Sequence, residues 1–174
     1  MRTAFPVIVI ALGACAKGQQ NVVQAPSAER LAAYKGVVVQ KIETAGWLSK
    51  NPRTRDNPAY SNWRSEIEVA SDQVPASAKK PLSEFYEIRG EPGQSAFVVQ
   101  SELIEFDPGS ADPLGGPNGR VVVRVVLVDG TSKERLGEAQ VSATVGSAGG
   151  LRGAYEKCGQ QIAKFVIEHR PKKK

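Results

Sequence analysis

One imidazole, His169, and two thiols, Cys15 and Cys158, are the side chains of this 174-residue chain whose types most often serve as general base or nucleophile. A general base or a Ser-His-Asp relay would have to use His169. That residue closes the apolar face of the last helical pattern, a position that suits a capped or buried structural histidine. No serine stands in a Gly-x-Ser-x-Gly elbow. Cys158 and His169 lie eleven positions apart with no clustered further ligands, so no metal site is expected. The glycine-rich stretch 109–119 lacks the Gly-Lys-Ser/Thr ending of a phosphate-binding loop. Glu102 and Glu105 fall three apart on an expected strand, which turns them to opposite faces unless a bulge intervenes. Glu66 and Glu68 share a face only if their segment is a strand. The residues predict neither an enzyme nor a cofactor.

Cys15 offers a different chemistry. Arg2 precedes an apolar run from Phe5 to Leu12, and Leu12-Gly13-Ala14-Cys15 follows directly. That order reads as a secretory signal, too short to span a bilayer. An ordinary cleaved signal with an incidental cysteine is the plain alternative. The four residues resemble the lipobox of bacterial lipoproteins. The resemblance implies a diacylglycerol on the Cys15 sulfur, loss of residues 1–14 and an acylated mature N-terminus. Two or more acyl chains hold a protein to a membrane stably, at about 0.8 kcal/mol per buried methylene. Ala16, where an aspartate would retain a Gram-negative lipoprotein at the inner membrane, implies an outer-membrane lipoprotein facing the periplasm.

Cleavage would leave 160 residues, the size of one domain. A composition of 41% hydrophobic and 24% charged residues is globular. The net charge of +5 gathers partly in a basic tail over residues 171–174, which reads first as a solvated, frayed terminus and, if it makes a contact in an exported chain, as a site for anionic lipid or cell-wall polymer rather than nucleic acid. With Cys15 acylated, Cys158 has no partner, and its place on an apolar helix face makes it a small buried hydrophobe.

Residues 15–33 are polar and weakly patterned and read as a lipidated N-terminus with a flexible tether. A single domain is expected over 34–170. Its first strand is Gly36 to Glu43, followed by a loop from Thr44 to Asn57. Tyr60, Trp63, Ile67, Ala70 and Val74 recur at helical steps, although Trp63, Ser65, Ile67 and Val69 also alternate as a strand would. A short helix is expected over Ala78 to Tyr86, with Leu82, Phe85 and Tyr86 inward and Pro81 in its first turn or at a kink. Strands follow at Phe97–Phe106, Arg120–Val128 and Glu138–Val145. The middle one is apolar on both sides, as a central strand would be. Leu151, Ala154, Tyr155, Cys158, Ile162, Phe165, Val166 and His169 form one stripe of a closing helix. The expected fold is α+β: a two-layer sandwich of a mixed, mainly antiparallel sheet of about four strands, covered by amphipathic helices.

The run Glu102-Leu-Ile-Glu-Phe-Asp-Pro-Gly109, the glycine-rich loop, the strand ending at Asp129, Gly149-Gly150 and the closing helix together resemble a family of bacterial lipoproteins of unknown function. The topology of that family resembles the N-terminal domain of the translocation protein TolB and the lipoprotein activators of cell-wall synthases. The resemblance spans roughly residues 34–170 and carries no reaction with it. Together with the anchor, the tether and the absent catalytic chemistry, it implies an envelope accessory module that binds another envelope protein, and an exported chain is not expected to meet nucleic acid. Trp47, Arg53 and Arg55, with Gly115, Gly116 and Asn118 of the loop, are candidate contact residues. An auxiliary lipoprotein that carries lipid or another apolar ligand is the alternative, and it requires an apolar cavity.

Overall fold

The structure is a computed structural model that describes residues 17–58, 61–108, 119–145 and 150–171. In chain order the elements are β1 (Lys17–Gln24), α1 (Ala28–Ala32), β2 (Gly36–Glu43), α2 (Ala45–Lys50), α3 (Pro52–Asp56), α4 (Ser61–Leu82), β3 (Glu87–Ile88), β4 (Ala96–Asp107), β5 (Gly119–Asp129), β6 (Arg135–Val145) and α5 (Gly150–Glu168). The strands form one sheet in the order β1-β6-β5-β4-β2-β3.

The α+β class and the mixed sheet are as expected, but the sheet holds six strands, not about four, and is evenly mixed rather than mainly antiparallel. β2 pairs in parallel with both β3 and β4, whereas β4–β5, β5–β6 and β6–β1 are antiparallel. The parallel β2–β4 pair follows from the long helical crossover between them, since adjacent parallel strands need a connection of that kind. β3 is only two residues long and too short to leave a pattern in the sequence.

The segment expected as a tether holds β1 and α1. β1 pairs with β6 from Lys17↔Thr144 to Gln24↔Glu138. An edge strand is held by its backbone bonds, so the polar run Lys-Gly-Gln-Gln-Asn serves as well as an apolar one. Ser27 caps α1, its Oγ accepting from the Arg30 N–H at 3.4 Å, and Leu31 is fully buried. The loop expected over Thr44 to Asn57 contains α2 and α3, where Pro52 stands at the start of α3 in the position a helix tolerates best. The two helices expected between Tyr60 and Tyr86 are one, α4, with Pro75 and Pro81 inside it. Tyr60 lies outside the described residues. Leu82 and Tyr86 turn inward, but Phe85 does not: it is 41% exposed, with the Arg170 guanidinium 4.7 Å above its ring.

Among the described residues, α1, α2, α4 and α5 pack on one face of the sheet. Val37, Val39, Phe97, Val99, Leu103, Val121, Val123, Val125, Val141 and Ala143 meet Ile67, Val74 and Ala78 of α4 and Tyr155, Cys158, Ile162, Phe165 and Val166 of α5 in a single core. α4 and α5 approach so closely that a Cβ on Gly159 would stand 2.4 Å from the Val74 carbonyl oxygen. On the other face Val38, Val98 and Val128 form a small cluster built from strands alone, flanked by Val126. Val122, also on that side, is 1% exposed, which agrees with a central strand apolar on both faces.

Candidate functional site

Three surfaces gather polar and aromatic side chains. The first lies at the sheet end where β1 begins. The register aligns Lys17 with Thr144, Thr144 with Arg120, and Arg120 with Asp107. Phe106, next to Asp107, meets Trp47 of α2 and Trp63 of α4 edge-on, with ring centroids at 6.3 and 6.4 Å. Trp47 is 8% exposed, so it is a core residue of this end and not the contact residue expected of it. The reason is Phe106, distant in sequence, which supplies the apolar partner for its ring. The Arg64 guanidinium donates to the carbonyls of Thr54 and Arg55 at 3.1 and 2.6 Å and ties α3 to α4. Between these helices opens a shallow cleft of about 370 Å³ lined by Lys50, Asn51, Pro52, Arg53, Thr54 and Trp63. Arg55 is bound twice by the neighbouring Asp56, at 2.7 Å through each contact. That pairing holds the Asp56 carboxyl below the usual carboxylate range. Gly115, Gly116 and Asn118 lie outside the described residues.

The second surface is the sheet face that no described helix covers. A β-bulge between Leu103 and Glu105 leaves Ile104 unpaired and 43% exposed. With that extra residue Glu102 pairs with Arg124 and Glu105 with Val122, two positions of β5 that share a face. Glu102 and Glu105 therefore point to the same side, where simple alternation puts them on opposite sides. Neither is a free acid: Glu105 lies 3.6 Å from Arg120, and Glu102 lies 3.8 Å from Arg124. Arg124 Nε also donates to Glu138 Oε1 at 2.7 Å, and Arg135 Nη1 donates to Glu138 Oε2 at 2.6 Å. Charges of opposite sign thus alternate across β4, β5 and β6. The Arg124 hydrogen bond is the first cause that keeps the Glu138 carboxyl below its ordinary range. Gln40, Gln100 and Val126 line an adjoining cleft of about 410 Å³.

The third surface is a groove of about 710 Å³ between α4 and α5, open and rimmed by Lys80, Glu84, Arg152 and Glu156. Its charged rim does not suit the apolar ligand of a carrier.

The titratable residues singled out in the sequence occupy ordinary places. His169 sits at the end of α5 with Nδ1 2.7 Å from the Phe165 carbonyl oxygen and its ring edge-on to Phe165. Cys158 is fully buried, and burial pushes its thiol up to about 12. Glu66 is helical, so Glu68 is not on its face; Glu66 accepts the Tyr155 hydroxyl at 2.9 Å. Burial first, and that hydrogen bond second, raise the Tyr155 hydroxyl well above the phenol range. Among the described residues no three His, Cys, Asp or Glu side chains group to hold a metal ion, and no helix is long and apolar enough to cross a membrane. Sequence reasoning named a bulge only as the condition for a facing Glu102–Glu105 pair and missed the Glu102–Arg124–Glu138 array; the adjacent apolar pair Leu103-Ile104 ahead of Glu105 is the signal that pointed to the bulge.

No protein-family model matches this sequence, and no curated protein matches it. In fold the chain is similar to the PelC dodecamer subunit of Paraburkholderia phytofirmans, with a TM-score of 0.54 at 17% identity over 89% of this chain and 99% of the other. Lower scores relate it to the lipoprotein GNA1162 of Neisseria meningitidis (0.43, 16% identity, 76% and 96% covered). Protein XCC0632 of Xanthomonas campestris, of the DUF330 family, scores 0.47 at 11% identity over 84% and 89%.

Proposed function

We propose that this chain is a lipid-anchored accessory module of the bacterial cell envelope, an outer-membrane lipoprotein facing the periplasm, and that it works by binding another envelope protein without catalysing a reaction. The observation that carries the reading is the sequence Leu12-Gly13-Ala14-Cys15 set two residues before an edge strand of the sheet. Acyl chains on Cys15 would hold the folded body directly at the membrane. The face bearing Glu102, Arg124, Glu138 and Gln140 then supplies a broad polar docking surface, fixed in shape by paired charges. The sequence's resemblance to a family of envelope lipoproteins fits such a role. The PelC subunit of like fold assembles as a dodecamer, which makes further copies of this chain a second class of partner to test for.

Two measurements test the proposal. Cys15→Ser should release the protein from the outer-membrane fraction; a variant that still pellets there removes the anchor. A photo-cross-linker at Gln100 or Gln140 should trap a single envelope protein in intact cells, whereas one at Gln160, on the helical side, should not. A trapped second copy of the chain would assign this face to self-assembly. No adduct from either sheet position would discard it as a docking surface.

A further inference from the structure

We infer that the sheet end carrying Lys17, Lys50 and Arg53 lies against an anionic phospholipid surface, an inference that rests on the lipid anchor proposed above. The first argument is covalent. Cys15 and Lys17 are two peptide units apart, so their Cα atoms are separated by at most about 7.6 Å. Lys17 is not the start of a loose linker: β1 is paired with β6 from that residue onward. A lipid on Cys15 therefore acts on the end of a rigid sheet, and that end must be near the headgroups.

The second argument is what the fold brings there. The strand ends align Lys17, Thr144, Arg120 and Asp107, and Phe106 carries the row on to Trp47, Trp63 and the cleft between α3 and α4. Lys50 and Arg53 line that cleft with Trp63 between the helices. Among the described residues Lys17, Lys50 and Arg53 make no ion pair, although Arg55 and Arg120 at the same end are matched by Asp56 and Glu105. Three cations without an ion pair among the described residues thus stand on the side to which the anchor pulls the protein. Attraction to an anionic leaflet fades within a Debye length of about 8 Å, so only cations held this close gain from it. The partly buried Trp63 indole beside them is the amphipathic group that suits the headgroup level. Phosphate is the chemistry recognised, and the lipid headgroup is the source the anchor favours over the free ion.

The test uses the acylated chain in vesicles containing brominated phospholipid, made with phosphatidylcholine alone or with added phosphatidylglycerol. Tryptophan fluorescence should be quenched in the anionic vesicles and much less in the neutral ones, and the quenching should vanish in Trp63→Phe. The double variant Lys50→Glu with Arg53→Glu should lose the quenching yet stay bound, and Lys50→Arg with Arg53→Lys should keep it. Inorganic phosphate at matched ionic strength should change nothing; relief of quenching by phosphate would point to the free anion and overturn the lipid assignment. Equal quenching in both vesicles, or quenching that survives the charge reversal, also overturns it. Mass spectrometry separates the two levels: an unmodified Cys15 removes the anchor and this inference together, whereas an acylated, membrane-bound but unquenched chain removes the inference alone.

Discussion

The Tyr34 hydroxyl donates to Asp129 Oδ2 at 2.6 Å and so fastens the chain entering β2 to the turn between β5 and β6. The other carboxylate oxygen of Asp129 accepts the N–H groups of Thr131 and Ser132 at 2.8 and 2.6 Å. One side chain thus shapes the turn and receives a cross-tie from 95 residues away. Tyr34→Phe deletes the tie and leaves the turn, and a hydrogen bond to a charged group contributes about 1.5–3 kcal/mol when well formed. Since the site is only part-buried, a loss of about 1–2 kcal/mol is expected in urea unfolding. Asp129→Ala, which also strands two turn N–H groups, should cost more.

The same pair sets a pH dependence. The Tyr34 hydroxyl first, then the Ser132 and Thr131 N–H groups, hold the Asp129 carboxyl well below the usual range. A depressed carboxyl contributes stability in full above its unfolded value of about 3.9, and that stability is lost as pH falls further toward the folded value. Tyr34 has the opposite sign: burial, then the bond to Asp129, pushes its hydroxyl up to about 12. Its contribution is complete below the unfolded value of about 10 and disappears as pH rises from there to about 12. Unfolding free energies measured across pH should therefore show a shallower acid limb and a flatter alkaline limb in Tyr34→Phe. Identical limbs in the two proteins would refute the coupling.

How much of this was legible in the sequence depended on whether side chains or backbone did the holding. α5 was readable because Cys158, Ile162, Phe165 and Val166 must face one way to be buried, and burial writes a 3.6-residue period. β6 was readable for the same reason at period two, and β5 as a β-branched run apolar on both faces. β1 was not, because Gln19, Gln20 and Asn21 join the sheet through peptide groups that leave no trace in residue type. α2 and α3 were hidden by Asn51-Pro52, a pair that marks a turn and the start of a short helix equally well. At the candidate sites, Trp47 was misplaced because only the fold brings Phe106 to it. Glu102 and Glu105 were set on opposite faces because the bulge at Ile104 depends on pairing with β5.

Gly159 lies at the α4–α5 crossing, where a larger residue should force the two helices apart. An added Cβ would stand 2.4 Å from the Val74 oxygen, 2.6 Å from Ser77 Cβ and 2.9 Å from the Ala78 nitrogen. Two of those atoms are backbone and cannot rotate aside. Gly159→Ala gains about 1 kcal/mol in helix propensity, yet overpacking of this kind costs about 1–3 kcal/mol and here the helices must separate. A net loss is expected by thermal unfolding. Gly90→Ala, where a Cβ meets nothing within 4 Å, serves as the neutral control.

The charged array on the open sheet face predicts an asymmetry between its acid and its bases. Glu138 has a side chain only 10% exposed and satisfies Arg124 and Arg135 together, whereas those arginines are 40% and 51% exposed. Glu138→Ala leaves two guanidinium groups side by side and should cost about 1.5–3 kcal/mol. Arg135→Ala leaves the Glu138–Arg124 bond intact, and its cost should stay within about 1 kcal/mol and shrink in salt. Equal losses from both substitutions would show that Glu138 is not the hub of the array.

Cys158 should be chemically silent in the folded protein. Its side chain is fully buried in the core and burial lifts the thiol to about 12, so the group stays a thiol through neutral and mildly alkaline pH. A thiol reagent can reach it only when α5 leaves the sheet, and labelling should therefore track unfolding through a urea series instead of reagent concentration. Cys158→Ser would place a hydroxyl in the same apolar site and should destabilise by about 1–3 kcal/mol, more than Cys158→Ala loses if the core closes over the smaller side chain. The silence has a further use. A native chain that consumes one equivalent of reagent at once can do so only through a bare Cys15, so the thiol count before and after urea reads acylation and core integrity in one titration.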